Sequence, residues 1–555
     1  MDRNLLLAFG LSFLVLVLWS TLVDPPSPPP ETTPSQTEAP EGDPLLGGGS
    51  ELPGPSDPVA APLHPEPAAA TPAAPTVPSR QLEVATELYR ARLDTRGATL
   101  IDWQLEEYRA SEREGGEPIT LVREPYPALT TPFRELGLGD LSQAVFELER
   151  EDGRTFVFRY SKGGVTVRKT YVFRDASYAF DLRVSVENAS DRQIAPGFVV
   201  TWPVLQQDGN DFREQSLAVL HEGGVERELL DGFGSAGFFG GEPEGFTSFA
   251  AEVDWAGTDQ PYFVAAVLPD NPARANARFD ALEPGRLARV SVYYDPVELP
   301  PGQPAEHNFR IFVGPKEPAR LEALGGGLIH SVDLGWAWII PLTRFFNWLL
   351  SVLYSVVSNY GLAIILLTVL VRLVTTPLTN KQMRSMERMR SLNPKLQELK
   401  AKHGDDKQKQ SEAMMALYRQ EGVNPLGGCL PMLLQLPVFI GLFYALRSSI
   451  QLRHAPFFGW IDDLSAPDML FELPGIGIPL RVLPLLNGLT MLVQQRITPM
   501  QGMDPAQQKM MTTMMPIVMT VVFYQFPSGL VLYWMVSSVL AVSHQLLIGK
   551  NLRKS

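Results

Sequence analysis

The sequence contains a single cysteine, Cys429, in 555 residues. An internal disulfide is therefore excluded, as is any zinc or iron–sulfur site built from several cysteines. Histidine is nearly as scarce: the seven are scattered, and His221-Glu222 has no second ligand at metal spacing. There is no Gly-x-x-x-x-Gly-Lys loop, no His-Glu-x-x-His and no Gly-x-Ser-x-Gly elbow, so the common phosphate-binding, zinc-protease and serine-hydrolase signatures are missing. No cofactor, metal or catalytic site is expected. The long apolar runs also lack Asp and Glu altogether, which denies the chain an intramembrane ion pair and argues against a proton pump.

Charge is present but divided. After residue 320, 20 Lys and Arg stand against 13 Asp and Glu, a net of +7 in a chain of −14, which leaves −21 for residues 1–320. A basic apolar part and an acidic polar part fit a protein that straddles two compartments. An acidic half is a poor nucleic-acid binder.

Residues 5–23 form an apolar run after Arg3, longer than the core of a secretory signal and followed by Asp24-Pro25-Pro26. An uncleaved membrane anchor, residues 1–23, is favoured over a cleaved signal. Residues 24–80 hold seventeen of the forty-nine prolines and eight acidic residues, a composition that buries no core and reads as a disordered tether. From 81 to 318, short alternating segments such as Val165-Thr166-Val167-Arg168-Lys169-Thr170-Tyr171 predict many half-buried antiparallel strands, hence one large β-sandwich.

Beyond 318 the pattern turns helical, with apolar runs at 334–357, 360–378, 426–446, 482–497, 511–526 and 528–548. The polar stretch 379–423 carries ten Lys and Arg against six acidic residues and belongs in the cytoplasm by the positive-inside rule. One crossing must separate it from the acidic domain outside. The run at 334–357 is therefore placed in the outer interface, with residues 319–358 acting as connector and interfacial helix. Residues 449–477 then face outward and the tail Lys550, Arg553 and Lys554 inward, giving six spans, five of them in the core at 359–555.

Within 379–423, Met383, Met386, Met389, Leu392, Leu396 and Leu399 recur at intervals of three and four, and His403-Gly404-Asp405-Asp406 supplies a turn. An antiparallel helical hairpin is expected, its first arm kinked or restarted at Asn393-Pro394. The Met stripe either packs the two arms together, the more economical reading, or offers an adaptable binding surface.

Arg372 is the informative residue. It lies in an apolar helix where an unpaired charge costs roughly 2.5–3.5 kcal/mol on insertion scales. Snorkelling to the cytoplasmic end is one way out. Other polar residues suggest a second: Thr368 one turn away, Gln435, Asn487, Gln494, Gln495, Tyr533, Trp534, Ser537 and Ser538 on other runs. They serve either as helix–helix glue or, converging on one arginine, as the lining of a water-containing hollow. The runs near 482–497 and 511–526 are also short for a hydrocarbon core of about 30 Å, which favours local thinning.

Several motifs occur together: Val423-Asn424-Pro425-Leu426-Gly427-Gly428-Cys429 leading to Pro431, Leu464-Ser465-Ala466 near Asp468, Asp504-Pro505 with Gln507-Gln508-Lys509, and Phe526-Pro527-Ser528-Gly529-Leu530-Val531-Leu532-Tyr533. Leu426-Gly427-Gly428-Cys429 also has the form of a lipoprotein cleavage box, but its depth in the chain makes it structural. In this order the motifs resemble the YidC insertases, the bacterial branch of the Oxa/Alb group. Specific likeness covers about 360–550; in the outer domain it is local, around Thr95-Arg96-Gly97. The resemblance implies a polytopic α-helical membrane protein of the bacterial inner membrane with a periplasmic β-supersandwich and cytoplasmic termini. It implies a groove with Arg372 as its arginine, lined by Thr368, Gln495 and Trp534; Gln435, Tyr533 and Ser537 join them as candidates from the residues alone. The implied partners are nascent membrane proteins, ribosomes, the Sec translocon and membrane lipids. The long tether at 24–80 departs from the family pattern and bears on the reach of the outer domain. A solute transporter would show repeated halves, which are not seen. A sugar-active outer domain would need paired acid and base residues, which sequence does not single out.

Overall fold

Period-two alternation takes Val165, Val167, Lys169 and Tyr171 inward and their neighbours outward along strand Val165–Val172. The same rule builds the whole outer domain. The computed structural model describes residues 78–110, 116–207, 214–235, 245–404, 406–421, 430–473, 477, 479–497 and 505–552. The expected anchor at 1–23, nearly all of the tether, and the motif at 423–429 lie outside the described residues.

Among the described residues, seventeen strands run from Gln81–Ala85 to Pro304–Pro315. A nine-stranded antiparallel sheet has Gly224–Leu229 at one edge and Glu147–Glu151 at the other. Facing it are two four-stranded sheets, one made by the first four strands and one containing Val199–Leu205 and Ala275–Glu283. Single bridges from Leu100 to Ala128 and from Thr130 to Thr201 join these two sheets into one layer. The layers meet through large aromatics: Trp103 stacks on Phe180 of the nine-stranded sheet at 5.4 Å and is backed by Tyr89 of its own sheet at 4.1 Å. Such pairs add directional attraction to the area that they bury.

Lys169 breaks the apolar rule at a fully buried position. Its ammonium donates to the Gly97 carbonyl at 3.1 Å and the Leu129 carbonyl at 2.7 Å. Both acceptors sit in left-handed backbone, φ 65° and 62°. At Gly97 a Cβ would meet the Ser142 carbonyl oxygen at 2.4 Å, so only glycine fits. The Thr95-Arg96-Gly97 motif is thus a turn pinned from below by a buried cation.

The chain leaves the domain through α1 (Pro318–Leu324). Asp259, on a central strand, accepts from Arg227 Nε at 2.7 Å and pairs with the buried Lys316. Arg227 also donates to the His330 and Ser331 carbonyls at 3.2 and 3.0 Å, which ties the connector to the sheet. Then come α2 (Ile340–Val357), α3 (Tyr360–Ser391), α4 (Asn393–His403), α5 (Lys407–Gln420), α6 (Leu430–Ser448), α7 (Val482–Ile497), α8 (Pro505–Phe523) and α9 (Ser528–Leu552).

By length and composition, Ile340–Val357, Tyr360–Asn380 and Ser528–Leu547 are able to cross a membrane, and Thr512–Phe523 is a shorter apolar helix. The first is the segment that charge parity puts in the interface. In α2 only the stripe Thr343, Phe346 and Leu350 is buried, while Phe345 and Trp348 are exposed. α3 does not stop at the expected edge of the cytoplasmic stretch: it runs unbroken through residue 379 to Ser391, and α4 restarts at Asn393-Pro394. Asp406 caps α5 by accepting from the Lys409 backbone N–H at 3.1 Å, and α4 packs on α5.

Burial pushes the Lys169 ammonium down to about 7, below its ordinary 10.5. Between these values the unfolded chain holds the extra proton, so stability rises with pH, by roughly 1.4 kcal/mol per unit at most. Lys169→Met is expected to abolish that rise between pH 7 and 10. Urea unfolding followed by the buried Trp103, Trp202 and Trp255 checks it; parallel pH profiles for both proteins would contradict it.

Candidate functional site

Four helix ends are gathered by one segment, residues 449–480. Tyr360 Oη donates to Gln451 at 2.9 Å and Asn359 Nδ2 to the Pro456 carbonyl at 3.3 Å, which fixes the start of α3. The Ser528 amide donates to the Ala466 carbonyl at 2.7 Å, the Gly529 amide to Leu464 at 2.9 Å, and the Ser528 hydroxyl to the Asp463 carbonyl at 2.6 Å; these fix α9. Asp468 is 4% exposed, and its Oδ2 accepts from the Val482 and Leu483 amides at 2.8 and 2.9 Å and from Trp460 Nε1 at 3.0 Å. A carboxylate on the first amides of α7 satisfies orphan donors and complements the helix dipole. The end of α6 leads directly into the same segment, through Ile450, which joins the outer domain's apolar core. The Leu464-Ser465-Ala466 and Asp468 motif is therefore a clamp.

Levelled helix ends set the depth of everything below them. At 1.5 Å per residue, Arg372 on α3 lies about 18 Å below Tyr360. Gln435 on α6 and Gln495 on α7 lie about 20 Å from their clamped ends, and Ser537 on α9 about 14 Å. Four helices thus bring polar side chains to one stratum of an otherwise apolar bundle.

In that stratum Arg372 is half-buried and donates to Ser537 Oγ twice, from Nε at 2.9 Å and Nη2 at 2.5 Å. No carboxylate pairs with it among the described residues. None of its nitrogens is among the buried atoms left without a partner, so the remaining donors open onto accessible space. Tyr533 is buried beside Arg372, within reach of the Gln435 and Ser537 side chains. Arg372, Gln435, Tyr533 and Ser537 form one cluster.

The other candidates are placed differently. Thr368 is fully buried and spends its hydroxyl on the Ile364 carbonyl of its own helix, at 2.6 Å. Trp534 packs edge-on to Phe439 at 4.7 Å and against Phe523 at 5.1 Å, as an apolar wall. Gln495 is half-buried, and no hydrogen bond among the described residues ties it to Arg372 or Ser537. Sequence reading passed over Thr375 and Thr376, whose hydroxyls return to the Val371 and Arg372 carbonyls at 2.9 and 2.7 Å just before Pro377. Threonines directly ahead of a helical proline are the signal that was available. The clamp role of Asp468 had no local signal, since its amide partners are fourteen and fifteen residues on.

The family model for the YidC periplasmic domain matches residues 81–349, and that for the 60Kd inner membrane protein matches residues 352–555. Membrane protein insertase YidC of Syntrophus aciditrophicus (strain SB) is 33% identical over 569 residues, covering 99% of this chain and 100% of the relative. The chain belongs to the YidC family of membrane protein insertases. The YidC proteins of Pelobacter propionicus and Geobacter metallireducens are each 34% identical, and the shares covered are 99–100% of this chain and 99% of the relatives. A crystal structure of an active YidC insertase with its first transmembrane domain resolved covers 84% of this chain and 92% of its own, at 18% identity and a TM-score of 0.35, too low to inform the fold. As a YidC insertase the chain is an inner-membrane protein with a periplasmic domain, acts on membrane proteins and is not an enzyme.

Loss of the Asp468 carboxylate strips two amides and an indole of their acceptor. Asp468→Ala is expected to lower stability by roughly 2 kcal/mol. Thermal unfolding in detergent measures it, and an unchanged midpoint would remove the clamp from the account.

Proposed function

We propose that the cluster around Arg372 is the floor of a hydrophilic groove that takes the polar flank of a nascent membrane protein while its apolar span passes to lipid. The observation that carries this reading is Arg372 itself, held by a neutral serine, lacking a carboxylate among the described residues, and still accessible. Such a cation is tolerable in an apolar bundle only with water beside it. It also attracts acidic residues of an incoming chain. Thr368, Gln435, Gln495, Tyr533, Trp534 and Ser537 complete the lining, with Trp534 marking the apolar wall where substrate meets lipid. The route for the apolar span runs along α6 and α8.

The wider arrangement follows charge parity. Six spans, counting residues 1–23 and with α2 in the outer interface, leave both termini and the hairpin at 379–423 in the cytoplasm. The buried stripe of α2, flanked by exposed Trp336, Trp338 and Trp348, supports its interfacial position. The two-layered periplasmic domain is the family's β-supersandwich. The basic hairpin suits a ribosome-facing surface, and the Sec translocon is a further partner.

Reconstituted vesicles with a protease-protection readout test the electrostatic role. Arg372→Lys is expected to keep most insertion of substrates with acidic flanks, and Arg372→Glu to reduce it about tenfold, corresponding to roughly 1.4 kcal/mol. Equal activity of the two variants would sink the proposal.

A further inference from the structure

Between α6 and α7 the clamp segment presents an apolar surface that the clamp itself does not use. Phe458 is 79% exposed, and Met469, Leu470, Phe471 and Leu473 are 37–48% exposed. A soluble surface seldom shows so many large apolar side chains in so short a stretch.

These residues do not stand on a loose loop. Phe471 pairs with Leu480 and Glu472 with Pro479 in a short antiparallel hairpin, and the Leu470 amide donates to the Leu480 carbonyl at 2.9 Å. Tyr524 Oη donates to the Pro479 carbonyl, and the Arg481 guanidinium lies over the Tyr524 ring at 4.9 Å, so the hairpin is bolted to the end of α8. On its inner side Asp468 is fixed to Trp460 and α7. The exposure is built in.

Continuity identifies the occupant. The hairpin runs straight into α7, whose own exposed residues Leu485, Leu486, Leu489 and Val493 form the flank that a membrane-crossing helix turns to lipid. α7 has 16 residues and spans about 24 Å, against a hydrocarbon core of about 30 Å. An apolar hairpin at its outer end extends the lipid-facing surface by several ångströms. Exposed Asp462 and Glu472 are then at headgroup level, where carboxylates stay hydrated.

We infer that the hairpin carrying Met469, Leu470, Phe471 and Leu473 is an interfacial anchor embedded in the outer leaflet. The mismatch of the short α7 is thereby met by protein on the periplasmic side, and bilayer thinning is confined to the cytoplasmic side, where the open side of Arg372 is proposed to lie. The anchor needs only that α7 cross the bilayer, and it stands or falls apart from the groove.

The lone cysteine makes the test direct. In full-length Cys429→Ser protein, nitroxide labels are placed at Phe471→Cys and, as a second reading, at Met469→Cys, with Leu489→Cys as lipid reference and Glu226→Cys as water reference. In phosphatidylcholine–phosphatidylglycerol vesicles, the ratio of collisions with oxygen to collisions with a water-soluble nickel chelate is expected to be about tenfold above that at Glu226, because the polar chelate is excluded from hydrocarbon. A ratio equal to that at Glu226 would place the hairpin in water and overturn the anchor. Exclusion of both relaxants would show the hairpin covered by protein, a second copy of this chain, and would overturn it equally.

Discussion

A guanidinium with no counter-charge among the described residues, set in an apolar bundle, is the constraint around which the membrane part is organised. Arg372 has five donors, and among the described residues one neutral side chain, Ser537, accepts from it. A carboxylate partner would lower the cost of burial, yet it would also fill the site and quench its field. Serine does neither. On the proposed reading, the residual demand for hydrogen bonds keeps water at the site and keeps it available to a passing polypeptide, the combination that an insertase without a catalytic centre requires.

Such a site works only if helices from distant parts of the chain deliver their polar side chains at one depth. The clamp at 449–480 performs that levelling from the periplasmic end, through backbone amides and carbonyls and the one buried carboxylate of Asp468 rather than through side-chain packing alone. It leaves the cytoplasmic ends of α3, α7 and α9 without an equivalent tie among the described residues. A bundle tied at one end only fits the proposed groove, which opens away from the clamp.

The periplasmic domain uses buried cations in a different way. Lys169 has carbonyl acceptors and a ring beside it, Lys316 has Asp259, and each joins segments far apart in sequence. Burial disfavours both ammonium groups; Asp259 offsets part of that cost at Lys316, and among the described residues no opposite charge does so at Lys169. The Asp259–Arg227 pair carries the restraint into the connector, and Ile450 carries it into the segment that leads from α6. Domain and bundle are joined by the elements that also level the helices.

Local pattern alone was enough to read the order of the parts: a β-rich domain ahead of apolar helices, and an arginine in one of those helices with no acid in any neighbouring run. Each of these rests on periods of two or 3.6 residues, or on composition over a window, so each is written in neighbouring residues. The continuity of α3 through residue 379 escaped because a change of polarity marks a membrane boundary and not the end of a helix. Contacts such as Arg372 with Ser537, 165 residues on, Lys169 with Gly97, and Asp468 with the start of α7 were settled by tertiary packing. Hydrogen bonds join whichever donors and acceptors folding brings within about 3 Å, and no periodicity of the chain encodes that distance.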